Sequence, residues 1–233
     1  MRKTVFAVLA GLGLLTQALA NAQDPHYTEV GFFDIHVCSW PDKSPFIMAL
    51  FSTVQFDNVE QVSVYTPAGE LLGNLNLARF RSFKTKDGKD KRAFITHLDL
   101  PAKTTDGWYK AAITMKDGRR IEAMDYVVHT VMPLPTGMQP AADAVDVALP
   151  GELRWKPVPG ASFYQVFVYD KWDDRLVFKS NVIRETVVKL PPDILRSGGQ
   201  YGWRVNARDV NEHVLLGDFN HGTTGPEYLF TTR

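Results

Sequence analysis

The sequence predicts an all-β protein of two sandwich domains behind a cleaved signal peptide, and three observations carry that expectation. Short segments rich in Val, Ile, Phe, Tyr and Thr recur every ~8 to 15 residues, with no long amphipathic helical pattern between them. Asp87-Gly88 and Asp117-Gly118 stand between apolar runs, where residues that tolerate positive φ favour hairpins. Near the middle, Met132 to Pro140 carries Pro133, Pro135 and Pro140, a stiff stretch that cannot join a central strand.

The chain begins with Met1-Arg2-Lys3, continues through the apolar run Val5 to Leu15 and reaches small residues at Ala18, Ala20 and Ala22. That is the pattern of a secretory signal peptide over residues 1–22, with cleavage expected after Ala22. The apolar run is shorter than the roughly 20 residues a bilayer crossing needs, and no later segment reaches that length. The expected location is therefore exported, periplasmic or secreted, with no transmembrane segment.

In the first domain, residues 23–132, strands are expected at Gly31 to Cys38, Pro45 to Gln55, Gln61 to Thr66, Leu71 to Leu77, Arg79 to Lys84, Arg92 to Leu98, Trp108 to Met115 and Arg120 to Thr130. Residues 133–140 form the linker. The second domain, 141–233, is expected to hold strands at Val145 to Leu149, Gly151 to Trp155, Phe163 to Tyr169, Arg175 to Ser180, Thr186 to Leu190, Gly199 to Arg208 and Glu227 to Thr232, with a helical turn at Pro191 to Arg196. Alternation is clearest where Tyr164, Val166 and Val168, or Tyr201, Trp203, Val205 and Ala207, share a face.

Particular residues of the second half carry a resemblance. Leu153-Arg154-Trp155, Pro157-Val158-Pro159-Gly160-Ala161, Tyr164-Gln165-Val166-Phe167-Val168, Leu190-Pro191, Leu195 and Gly199 to Ala207 occur in the order found in bacterial fibronectin type III domains. Pro140 to Thr232 resembles that family. The resemblance implies that Trp155 fills the centre between the sheets and that Tyr201 bonds to upstream backbone as a tyrosine corner. The first half resembles an immunoglobulin-like sandwich through Asp106-Gly107-Trp108-Tyr109-Lys110-Ala111, with Ala111 where that family has its second cysteine. The two domains are thus expected as tandem immunoglobulin-like and fibronectin type III-like β-sandwiches.

The full chain has 26 basic and 26 acidic residues; removing residues 1–22 takes Arg2 and Lys3 and no acid, leaving 24 against 26 and a net charge of −2. Such a balance gives no global field for nucleic acid, so none is expected as a partner. The single cysteine, Cys38, excludes an intramolecular disulfide and reads as a small buried hydrophobe. No nucleophile elbow, zinc helix, phosphate loop or dinucleotide turn is present, and the six histidines (26, 36, 97, 129, 213, 221) never fall at i, i+2 or i, i+4. No catalytic residue, metal or cofactor is therefore expected.

The most uneven feature is a basic hairpin. Arg79, Arg81, Lys84, Lys86, Lys89, Lys91 and Arg92 crowd into 14 residues opposed only by Asp87 and Asp90. They form the candidate site for an anionic partner, weighed against the edge protection that lysine-rich hairpins give a sheet. Asp170-Lys171-Trp172-Asp173-Asp174 reads as a charged, solvated turn whose Trp172 is a candidate aromatic contact. The function expected is that of an exported, non-catalytic binding or scaffold protein of the bacterial envelope, its partner a protein or glycan. One alternative is a carbohydrate-binding or enzyme-accessory protein, resting on exposed Trp40, Trp108 or Trp172. Another is a pilus-type periplasmic chaperone using Arg120 to Met132 as an open strand edge.

Overall fold

A computed structural model describes residues 24–102, 106–210 and 219–233; the expected signal peptide and His213 lie outside the described residues. The fold is all-β. Sixteen strands and one 3-10 turn at Phe56–Asn58 are found among the described residues, with no α-helix. At Pro191 to Arg196 the structure has turns in place of the expected helical turn, and Asp193 there takes a positive φ of 69°. A proline pair and a left-handed residue cannot propagate helix hydrogen bonds.

The first core lies between two sheets. One is β4 (Leu71–Asn74), β3 (Val59–Tyr65), β7 (Gly107–Met115) and β8 (Arg120–Val127), in that order. The other contains β1 (Phe32–Ser39), β2 (Phe46–Thr53), β6 (Asp90–Asp99) and β5 (Phe80–Lys84). Period-two alternation sends Phe33, Ile35 and Val37 of β1 inward against Val62, Ala111 and Ile113, all buried. Ala111 thus occupies the core where the resemblance places a cysteine.

The second core is covered by β12 (Arg175–Lys179), β11 (Phe163–Asp170), β14 (Gln200–Arg208), β16 (Tyr228–Thr232) and β9 (Ala144–Val147), with the β10 (Glu152–Arg154) and β13 (Val187–Lys189) pair opposite. Trp155, Tyr164, Val166, Tyr201, Trp203 and Val205 fill it. The Tyr201 hydroxyl accepts the Arg196 N–H at 2.8 Å, and Trp155 meets Tyr164 edge-on at 5.4 Å. The proline-rich stretch packs on this core: Met132 and Met138 are buried in it and Trp203 Nε1–H donates to the Pro140 carbonyl at 3.2 Å.

The strand that sequence patterning did not find, β15 (His221–Thr224), joins the two halves. It pairs antiparallel with β14 through residues 206–208 and parallel with β1 through Val37, Cys38 and Ser39. One sheet therefore runs from β12 to β5 across both cores.

Among the described glycines, Gly31 makes the tightest approach to backbone. A Cβ there would lie 2.5 Å from the Ser52 carbonyl oxygen and 2.7 Å from the Phe51 ring. Because the first of these is strand backbone and cannot swing away, Gly31→Ala is expected to destabilise the protein by about 1–3 kcal/mol, measured by urea denaturation.

Candidate functional site

The alternation that buries Phe33, Ile35 and Val37 turns Asp34, His36 and Cys38 to the opposite face of the long sheet. Register places Leu50 and Met48 beside Asp34 and His36, then Ile95 and His97 beside those. On the other side of β1, Cys38 lies opposite Gly222 of β15, which lies opposite Arg208 of β14. This face forms a groove of about 370 Å³ that crosses the joint between the two halves. Its walls include Trp40, His97, Arg79, Arg81, Arg208 and Phe219, and no acid is among its described lining residues. A second cavity of about 350 Å³ shares Leu50, Arg81 and Ile95 with it and continues along β5 to Phe83 and Lys84.

The aromatic and cationic groups of the groove are held in place. Trp40 meets Phe46 and His97 edge-on at 5.0 and 4.9 Å, and the Lys43 ammonium lies 3.5 Å from the Phe46 ring centre. Burial, followed by the charges of Lys43 and Arg79, lowers the pKa of His97, so this ring is neutral at neutral pH. The Arg208 guanidinium sits 4.9 Å from the Phe219 ring centre.

The structure divides the basic hairpin. Arg79 and Arg81 line the groove, and Lys84 lines its extension while pairing with Asp90 at 2.6 Å. Lys89 pairs with Asp87 at 2.8 Å in the solvated turn, and Lys86 is also exposed there. Lys91 lies 5.9 Å from the Phe83 ring, where burial lowers its pKa. Arg92 belongs to the other face, sandwiched between the Phe56 and Phe80 rings at 4.1 and 4.2 Å. Sequence reasoning missed His97, which β6 brings to the groove beside β2, and Arg208 and Phe219, which enter it only through the β14–β15–β1 pairing.

Trp172 is 78% exposed at the β11–β12 tip, at the far end of the long sheet from β5. The acids around it are engaged: Asp170 accepts the Trp172 N–H, Asp173 the Arg175 N–H, and Asp174 pairs with Lys171. Trp40 and Trp108 are 37% and 48% exposed, but Trp108 pairs with Tyr126 at 5.3 Å beside a different cavity, so the three tryptophans form no single platform. The β8 edge is met at its centre by the N-terminal segment, whose Pro25 carbonyl accepts the Met124 N–H at 3.0 Å.

Asp34, His36 and Cys38 share one strand face, as a hydrolytic triad would require, but the chemistry is not there. The buried His36 ring directs Nδ1 to the Phe219 carbonyl and Nε2 toward Asp34, leaving no nitrogen for the thiol. Burial lowers the His36 pKa to about 4 and pushes the Cys38 thiol up to about 12. A protonated, buried thiol without a base is no nucleophile.

On the edge of β1, His26 is gripped by two carboxylates. Its Nδ1 lies 2.6 Å from Asp24 and its Nε2 2.9 Å from Asp125. Burial pulls its pKa down, but the bonds and charges of Asp125 and Asp24 outweigh this and raise it to about 10.

No family model and no curated protein matches the chain. Among solved structures it is similar to SGBP-B of the Bacteroides ovatus mixed-linkage glucan utilization locus, solved with a mixed-linkage heptasaccharide, at 13% identity and a TM-score of 0.24 over 84% of this chain and 42% of that one. The chain thus spans less than half of the SGBP-B length. It is also similar to Dpr2 Ig1-Ig2 from its complex with DIP-Theta (10% identity, TM-score 0.29, 88% of this chain and 99% of that one). Murine CEACAM1b gives 12% identity and a TM-score of 0.25, over 86% and 100% of the two chains. No helix among the described residues is long and apolar enough to cross a membrane.

Proposed function

We propose that the protein is an exported, non-catalytic binding protein of the bacterial envelope whose groove takes an acidic glycan. Its two domains, 23–132 and 141–233 about the 133–140 linker, serve as immunoglobulin-like and fibronectin type III-like halves of one binding face. One observation carries the reading: three arginines, a histidine and a half-exposed tryptophan line a single groove whose described walls hold no acid. Guanidinium groups recognise carboxylates through paired hydrogen bonds, and an indole supplies an apolar surface for a sugar ring. Thr223, Thr224 and Asn206 add donors and acceptors suited to hydroxyls.

The test is titration with oligogalacturonate, with a neutral oligosaccharide of equal length and with an acidic peptide. Oligogalacturonate is expected to bind and to weaken with added salt. Arg81→Glu is expected to reduce its affinity at least tenfold, because one charge-assisted hydrogen bond contributes about 1.5–3 kcal/mol. Lys86→Glu, at the solvated turn, should leave affinity unchanged. Equal binding of the neutral sugar, or preference for the peptide, overturns the glycan reading.

A further inference from the structure

We propose that His26, Asp34 and Asp125 form a divalent metal site that takes zinc. One ligand atom from each of these side chains lies within 4.8 Å of the others, and the two aspartates are buried. One imidazole nitrogen and two carboxylates are a donor set that suits zinc.

These groups are also held as metal ligands are held. A histidine bound to a metal through one ring nitrogen characteristically donates the other N–H to a carboxylate or backbone carbonyl. His26 has that arrangement: Nε2 faces Asp125 Oδ1 at 2.9 Å while Nδ1 is 2.6 Å from Asp24 Oδ1. Asp125 is oriented in turn, its Oδ2 accepting the Ile35 N–H at 2.8 Å. The cluster is therefore fixed from three elements: the N-terminal segment, β1 and β8.

A second observation points the same way from the opposite side of Asp34. His36 is fully buried and its Nδ1–H donates to the Phe219 carbonyl, so the neutral ring turns the lone pair of Nε2 toward Asp34. Nε2 stands 3.2 Å from Asp34 Oδ2 yet makes no hydrogen bond. His36 thus stands next to Asp34, outside the three-residue cluster, with its ring oriented by a backbone carbonyl as His26 is by Asp24. A cavity of about 270 Å³ bounded by His26, Asp125, Trp108 and Tyr126 gives an ion a route from solvent.

The experiment treats the purified protein with a chelator, removes it, and titrates with Zn²⁺ alone by calorimetry, followed by Co²⁺ and its visible absorption. One equivalent of zinc is expected to bind and to raise the unfolding midpoint, and Co²⁺ should show the d–d bands of a four-coordinate site. His26→Gln and Asp125→Asn should each weaken zinc at least tenfold, while His97→Gln in the groove should not. If either variant fails to fold, the wild-type titration still decides. Absence of a stoichiometric site, zinc binding that survives His26→Gln, or loss on His97→Gln overturns the proposal.

Discussion

Trp203→Ala is expected to remove about 3–5 kcal/mol of stability and to bring down both halves of the molecule together. Trp203 is completely buried, contacts Tyr228 at 6.4 Å between ring centres and anchors the Pro140 carbonyl through its indole N–H. Truncation leaves a cavity in the second core and an unmet carbonyl at the chain's entry to it. The effect should spread because β14 is the strand on which β11, β16 and β15 all pair, and β15 is hydrogen-bonded to β1. Scanning calorimetry should show one lowered transition, and hydrogen exchange should accelerate in β2 as well as in β11. Unchanged protection of β2 with loss of β11 would show that the β1–β15 pairing does not couple the cores.

That pairing also explains what the sequence could and could not disclose. The strands around Val166 and Trp203 were legible because alternation and aromatic content are local properties. His221-Gly222-Thr223-Thr224 has neither: it is a strand because β1 and β14 leave backbone groups that need partners, a condition set by the tertiary fold. The groove was half legible for the same reason. Charge crowding pointed to Arg79 and Arg81, whereas Arg208 lies 127 positions later and reaches the same wall only through β15. Charge density alone also misplaced Arg92, since alternation along β6 sends it to the other face. The metal cluster left no trace in spacing because residues 26, 34 and 125 come from three separate elements.

A last expectation concerns pH at this joint. His221 Nδ1 lies 2.8 Å from Asp209 Oδ2, and its Nε2–H donates to the Val128 carbonyl at the end of the first half. Burial lowers the His221 pKa, but the bonds to Asp209 and Val128 and the charges of Asp209 and Asp106 outweigh it and leave the pKa raised. His129 faces the same region, and its pKa is lowered by burial and by the charge of His221. Burial pushes Asp209 up, but the bonds it accepts from His221, Val210 and the backbone hold it below its ordinary value. The raised histidine contributes stability that is fully present below its unfolded pKa of about 6.5 and is lost as pH rises through the folded value. The lowered aspartate contributes stability present above about 3.9 and lost as pH falls through its folded value. Stability at this contact is therefore greatest between roughly pH 4 and 6.5 and declines on either side. His221→Ala is expected to cost about 3 kcal/mol at pH 5.5, since it leaves Asp209 without its partner, and less at pH 9. Urea denaturation of the variant and the wild type across that range measures the difference. A penalty that stays constant with pH would mean that His221 holds the Val128 carbonyl as a neutral ring, through packing and one hydrogen bond alone.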